Sequence, residues 1–178
     1  AGYIKRTPLT EYKTQNRGGV GQKSAGTRDQ DFLEHMYIAT NHQYMLFFTQ
    51  KGKCFWLRVY EIPEGSKQAK GRAIQNLINI ENDDKVKAFI CTQDLRDEEY
   101  TNNHFIVMCT KQGQVKKTAL EQYSRPRQNG INAITIKDGD ELLEAKLTDG
   151  NSKVLIAAKN GKMVRFDESK TRPMGRTA

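Results

Sequence analysis

Residues 105–130 read FIVMCTKQGQVKKTALEQYSRPRQNG. An apolar run (Phe105, Ile106, Val107, Met108) leads through a polar turn at Lys111, Gln112 and Gly113 into a basic return (Val115, Lys116, Lys117), which is the grammar of a β-hairpin. Gly130 closes the unit further on. The same order recurs on both sides. Residues 44–49 run into Lys51, Gly52 and Lys53 with a later Gly71; residues 154–158 run into Asn160, Gly161 and Lys162, with Val164, Arg165 and Gly175 beyond. Gly2, Tyr3, Ile4, Lys5 and Arg6 read as the return half of one more copy, closed by Gly18. The turn glycines 2, 52, 113 and 161 lie 50, 61 and 48 residues apart, in the range of propeller-type repeats. The chain is therefore predicted to be an all-β array.

A length of 178 residues allows one domain with a real core, and 37% hydrophobic with 28% charged residues describes a folded chain rather than a disordered one. No apolar run approaches the roughly 20 residues that span a bilayer, and no signal-type segment opens the sequence, so a cytoplasmic protein without a membrane partner is expected. Cys54, Cys91 and Cys109 are far apart and form no CxxC pair, which predicts reduced structural thiols rather than a metal site. His35, His42 and His104 lack metal-ligand spacing and are assigned no function.

The net charge of +8 is distributed periodically. Residues 1–30, 51–75, 106–130 and 151–178 carry +4, +4, +4 and +5, and the intervening segments are acidic. If the repeats turn about a common axis, equivalent basic segments fall on equivalent surfaces, and a periodic positive stripe is the footprint of a polyanion. Lysines that merely keep strand edges soluble are the bland alternative.

Along the chain, residues 13–30 hold almost no large apolar residue and four glycines, and are expected to be one long exposed basic loop. Two β-rich runs, 36–39 and 45–49, joined at Asn41 and His42 and followed by 54–59, predict a three-stranded meander. Trp56 and Phe55 are expected to pack between repeats. After Pro63 and Gly65, residues 73–80 are expected to restart an apolar strand, and the acidic stretch DLRDEEYTNN, 94–103, to be a solvated hairpin loop. Ile131, Ala133, Ile134 and Ile136 alternate as the strand after Gly130, and 142–147 begins the next unit. The fourth copy stops just after Gly175, which would leave an unpaired sheet edge; a piece of a longer protein is expected.

QNRGGVG at 15–21, followed in order by YEIPE, KGRAIQNL, TKQGQVKKT, GDELL and RPMGR, resembles the C-terminal domain family of the DNA gyrase A subunit over nearly the whole chain, residues 2–176. The resemblance implies a β-pinwheel, a propeller-like disc whose blades exchange strands and whose basic rim bends DNA; this chain would supply about three to four blades, open rather than closed, as a single partial domain. Residues 15–21 look like the family's signature box, usually Gln-Arg-Arg-Gly-Gly-Lys-Gly. Gln15, Arg17, Gly18, Gly19 and Gly21 match, while Asn16 and Val20 replace two basic positions. Glycines there let backbone lie against phosphates, which Arg17 and Lys23 neutralise. The departure keeps open the relative with a degenerate box, the A-type subunit of topoisomerase IV.

The candidate DNA-binding residues are these box residues together with the basic residues of each repeat. They comprise Lys5 and Arg6 in the first; Lys53, Arg58, Lys67, Lys70 and Arg72 in the second; Lys116, Lys117, Arg125 and Arg127 in the third; and Lys162, Arg165, Arg172 and Arg176 in the fourth. The competing class is a protein-interaction propeller that docks an acidic partner. A catalytic reading would use Tyr123 beside Arg125 and Arg127, but the tyrosine is expected to pack its ring, and the resemblance places the cleaving tyrosine in another domain. The QNRGGVG loop lacks the GK[ST] ending of a P-loop, so no cofactor is expected here. By resemblance, ATP and Mg are used elsewhere in a heterotetramer with the ATPase B subunit.

Overall fold

A computed structural model describes residues 2–21, 25–26 and 32–178. Four short sheets follow one another along the chain. The first pairs β1 (Tyr3–Ile4) with β4 (Arg72–Ala73). The second is built on β2 (Tyr44–Thr49) and β3 (Lys53–Arg58), joined at Gly52, with β5 (Val86–Cys91) on the other edge of β2. The third orders β7 (Val115–Ala119), β6 (Phe105–Thr110) and β9 (Leu142–Thr148), and the fourth is the hairpin of β10 (Lys153–Ala157) and β11 (Met163–Asp167). The remaining strand, β8 (Ile131–Asn132), completes the second sheet beside β3.

Strand exchange between repeats is visible in the registers. Ile4 pairs with Arg72, the residue after Gly71, and Cys54 pairs with Ile131, the residue after Gly130. In both junctions the segment following a closing glycine adds to the return strand of the previous repeat, two residues past its turn glycine. At the third junction the Met174 N–H donates to the Lys117 carbonyl at 2.8 Å. At two of these junctions glycine is needed both for its backbone and for close approach: Gly71 and Gly130 have φ of 80° and 70°, and a Cβ on Gly71 would lie 2.7 Å from the Ile4 carbonyl oxygen. A Cβ on Gly130 would lie 2.7 Å from the Phe55 ring and 3.0 Å from the Cys54 carbonyl oxygen.

The apolar runs follow from this stacking. Side chains alternate across a strand, yet both faces of the β2–β3 hairpin are buried. Leu46, Phe48, Cys54 and Trp56 pack towards the third repeat with Ile106, Met108 and Tyr123, while Met45, Phe47, Phe55 and Leu57 pack with Ile62, Ile74 and Ile78. A sheet sandwiched between neighbours carries no polar face, so it reads as continuous hydrophobic sequence.

Several expectations are corrected. Residues 36–39 form no strand; the third member of the meander sheet is β5, which pairs Phe47 with Phe89. Only Arg72–Ala73 of the expected second-repeat strand is a strand, and a 3-10 turn at Ile74–Asn76 follows. The strand after Gly130 is likewise limited to Ile131–Asn132. Within the acidic stretch, Glu98–Asn103 is an α-helix, α1, because Asp97 caps it by accepting from the Tyr100 N–H and Glu98 and Glu99 sit at its positive end. Its Tyr100 and Thr101 are buried against the array rather than solvated. The cysteines are free thiols: Cys54 is buried and Cys91 and Cys109 are half-buried, and burial raises the pKa of each.

Candidate nucleic-acid interface

The predicted basic residues separate into two populations according to where the repeat places them. One population lies in the closing loops that precede or surround each closing glycine. Arg17 beside Gly18, Lys70 and Arg72 around Gly71, Arg125 and Arg127 before Gly130, and Arg172 before Gly175 are all exposed. The loops at Gly71, Gly130 and Gly175 occupy equivalent places, because the same strand exchange joins each to the repeat before it, and the Gly18 loop matches them in its sequence position. Arg176 is half-buried; its guanidinium donates to the Asn132 carbonyl at 2.7 Å. With Lys53 and Arg127 it lines an open recess floored by residues 129–132, so three cations from two closing loops and one return strand meet there.

The box loop is exposed from Gln15 to Gly21, including Gly19, and Gly18 adopts a φ of 82° that lets the Gly19 N–H turn back to the Asn16 carbonyl at 3.1 Å. Lys23 lies outside the described residues. Three exposed cations absent from the predicted set, Lys13, Lys159 and Lys170, flank predicted ones and extend the same segments. Their only signal in the sequence is proximity to the box, to the Gly161 turn and to Arg172.

The second population sits on the return strands and is already engaged. Lys116 and Lys117 are each 4% exposed, which corrects their assignment to a phosphate-facing surface. Lys116 Nζ donates to the carbonyls of Ala133, Arg176 and Ala178. Burial, with the Arg176 guanidinium as the lesser cause, lowers the Lys116 pKa to about 8. Lys117 Nζ donates to the Glu168 carbonyl at 3.3 Å, lies 3.7 Å from the Glu168 carboxylate and sits 4.3 Å from the centre of the Phe105 ring. In the first repeat, Lys5 donates to the Ser66 and Lys67 carbonyls, and Arg6 donates to the Ile62 carbonyl at 2.9 Å and pairs with Glu64 at 2.8 Å.

The others fall between. Arg58 stands 4.8 Å from the Tyr44 ring centre and its backbone N–H donates to the Glu61 carboxylate; Lys67 lies over Tyr12 at 4.5 Å. Lys53 shares the Glu81 carboxylate with Lys51. Lys162 and Arg165 are exposed on the last hairpin.

Tyr123 packs as expected. It is fully buried, its hydroxyl donates to the Ala133 carbonyl at 3.0 Å, and burial raises its pKa. A phenol so committed is not placed to attack a phosphodiester. Among the described residues no group of three or more His, Cys, Asp or Glu is placed to hold a metal, and no helix is long and apolar enough to cross a membrane.

A strand-exchanged stack of propeller-type repeats, each presenting cations on its closing loop, defines a nearly all-β repeat domain of the pinwheel class. The family described as DNA gyrase C-terminal domain, beta-propeller, matches residues 1–40, 43–93, 104–149 and 152–178, one segment for each repeat, and the chain belongs to that family. It is 44% identical over 176 residues to the A subunit of DNA gyrase from Staphylococcus epidermidis, covering 99% of this chain and 19% of that one. The chain thus spans about a fifth of the length of the curated relatives it matches. Among solved structures, the C-terminal domain of DNA topoisomerase IV superposes with a TM-score of 0.80 at 30% identity, covering 99% of this chain and 52% of that one. The DNA gyrase A C-terminal domain superposes at 0.66 with 23% identity, covering 99% and 55%, which supports the fold.

Proposed function

We propose that this chain binds duplex DNA without sequence preference and bends it along the array of closing loops, as the wrapping part of a gyrase holoenzyme. One observation carries the reading: Arg17, Lys70, Arg127 and Arg172 place an exposed cation in the closing loop of every repeat. Phosphate contacts of this kind gain free energy by releasing counterions. Smooth bending of a short duplex costs on the order of 1–6 kcal/mol, which contacts spread over successive repeats can offset and a single patch cannot. The recess at Lys53, Arg127 and Arg176 suits one backbone phosphate between two loops.

In the holoenzyme such bending would present one DNA segment to another with fixed handedness and support negative supercoiling. Cleavage would belong to the remainder of the gyrase A polypeptide, and ATP hydrolysis with Mg to the ATPase B subunit of a heterotetramer, in the bacterial cytoplasm at the nucleoid; the chain itself would be a noncatalytic monomer. The superposition on the topoisomerase IV domain, together with Asn16 and Val20 in the box, favours one alternative, the same DNA contact in an enzyme that does not wrap strongly.

The test is DNA binding and bending as a function of salt, for the protein and for variants in which Arg17, Lys70, Arg127 and Arg172 are changed to Gln. Removing one phosphate contact should reduce the slope of log K against log salt by about 0.9. A chain that bends no DNA, or whose fourfold variant keeps the original slope, is not a wrapping domain. A module that docks an acidic protein would behave in that way.

A further inference from the structure

The return strands carry a recurrent junction that reaches beyond the DNA reading. Arg6, Trp56 and Lys117 each stand four residues past a turn glycine, and each donates a side-chain N–H to a main-chain carbonyl of the following repeat. Two of the acceptors, Ile62 and Tyr123, stand ten residues past their own turn glycines, and the third, Glu168, lies three residues earlier in the same segment. Ile62 directly follows the 3-10 turn Val59–Glu61, Tyr123 ends the turn Leu120–Tyr123, and Glu168 opens the turn Glu168–Lys170, in each case at the end of the next return strand. Arginine, tryptophan and lysine share little except that their nitrogens donate and do not accept. Where the donor is charged, a carboxylate from the same segment meets it as well, Glu64 beyond the turn for Arg6 and Glu168 at the start of the turn for Lys117.

Among the described residues, the fourth repeat has the donor without the acceptor. Arg165 is four residues past Gly161, and it pairs across the hairpin with Leu155 just as Trp56 pairs with Leu46 and Lys117 with Val107. Strand register therefore confirms the equivalence independently of the glycines. The face around it is apolar and open: Leu155 is 58% and Met163 63% exposed, whereas their counterparts Leu46 and Cys54 are 0% exposed beneath the third repeat.

We propose that Arg165 is a junction residue rather than a phosphate contact. The open face of the last hairpin receives a further repeat of the same kind, whose segment at and after the return strand's 3-10 turn offers Arg165 a main-chain carbonyl and a carboxylate. Continuity with the three junctions already formed names this occupant. The same interface recurs, and both charged donors, Arg6 and Lys117, meet a carboxylate there.

The experiment uses the full-length natural protein and compares Arg165→Ala and Arg165→Lys by hydrogen exchange of residues 153–167 and by the salt dependence of DNA binding. Loss of a buried hydrogen bond to a charged donor should raise exchange in Arg165→Ala by about tenfold or more, with partial recovery in Arg165→Lys. The slope of log K against log salt should stay unchanged. Unchanged exchange overturns the proposal, and so does a slope reduced by about one, the mark of a missing phosphate contact. Arg127→Gln serves as the comparator: if it too leaves the slope unchanged, the DNA reading fails while the exchange result still decides the role of Arg165.

Discussion

Trp56 donates its indole N–H to the carbonyl oxygen of Tyr123 at 2.9 Å, deep between the second and third repeats, with both side chains buried. The bond ties the middle of β3 to the turn that ends β7, so it fixes how far one sheet is rotated on the next. Removing the donor leaves a buried carbonyl without its partner and a gap where the indole stood.

Trp56→Phe is accordingly expected to lower unfolding free energy by roughly 2 kcal/mol or more. Denaturant titration measures it. DNA affinity of the folded variant should stay near the parent value, because Trp56 is buried and supplies no cation to the surface.

The buried Lys117–Glu168 pair makes the corresponding connection one junction later. Lys117→Ala would strand a carboxylate that is fully buried, at a cost of roughly 3–5 kcal/mol. Replacing both partners by apolar residues of similar size, Lys117→Met with Glu168→Leu, should recover most of that loss. Thermal unfolding of the two variants separates the outcomes. A double variant as unstable as the single one would show that the ammonium is held mainly by the Phe105 ring and the Glu168 carbonyl.

These two positions also show what the sequence can and cannot convey. The hairpins 44–58 and 105–119 are legible because sandwiched sheets have no polar face and their turns carry Gly52 and Gly113. Lys116 and Lys117 mislead because a charge count does not distinguish a solvated ammonium from one enclosed by carbonyls. The corrective signal lies in the repeat itself: their counterparts in the second unit are Phe55 and Trp56, which are core residues. Adjacent strand residues face opposite ways, so two buried neighbours mean a sheet covered on both sides. The closing strands are shorter than their apolar pattern suggests for a related reason. Apolar residues in 73–80 and 131–136 are buried by packing under neighbouring sheets, and only Arg72–Ala73 and Ile131–Asn132 find a strand edge to join. The helix at Glu98–Asn103 is hidden by its acidity, although Asp97 and the glutamates that follow form an ordinary start signal.

Lys116 gives the junction a pH dependence whose sign can be worked out. Its folded pKa is about 8, below its ordinary value of 10.5. Below pH 8 both folded and unfolded chains carry the proton, and the folded state bears the cost of a buried ammonium. Between about pH 8 and 10.5 the unfolded chain binds the proton that the folded chain has released, so stability from this group rises with pH. Lys116→Met should remove that rise. Unfolding midpoints of parent and variant are expected to differ by a constant amount below pH 8 and to draw together between about pH 8 and 10.5; parallel curves throughout would mean that the three carbonyls hold the ammonium at its ordinary pKa.

The glycines provide a test of strand exchange that does not involve charge. Gly113 and Gly130 both have positive φ, 85° and 70°. A Cβ on Gly113 meets no heavy atom within 4 Å, whereas one on Gly130 would lie 2.7 Å from the Phe55 ring and 3.0 Å from the Cys54 carbonyl of the previous repeat. Gly113→Ala should therefore cost only the left-handed backbone penalty, about 1–2 kcal/mol. Gly130→Ala adds a clash with a ring that is itself packed in the core, so the exchanged strand must move away from β3, and a total above about 3 kcal/mol is expected. Hydrogen exchange should show the same difference: protection lost along Lys53–Arg58 in Gly130→Ala, and at most around the turn in Gly113→Ala. Equal costs for the two substitutions would mean that residues after Gly130 do not dock on β3 in solution.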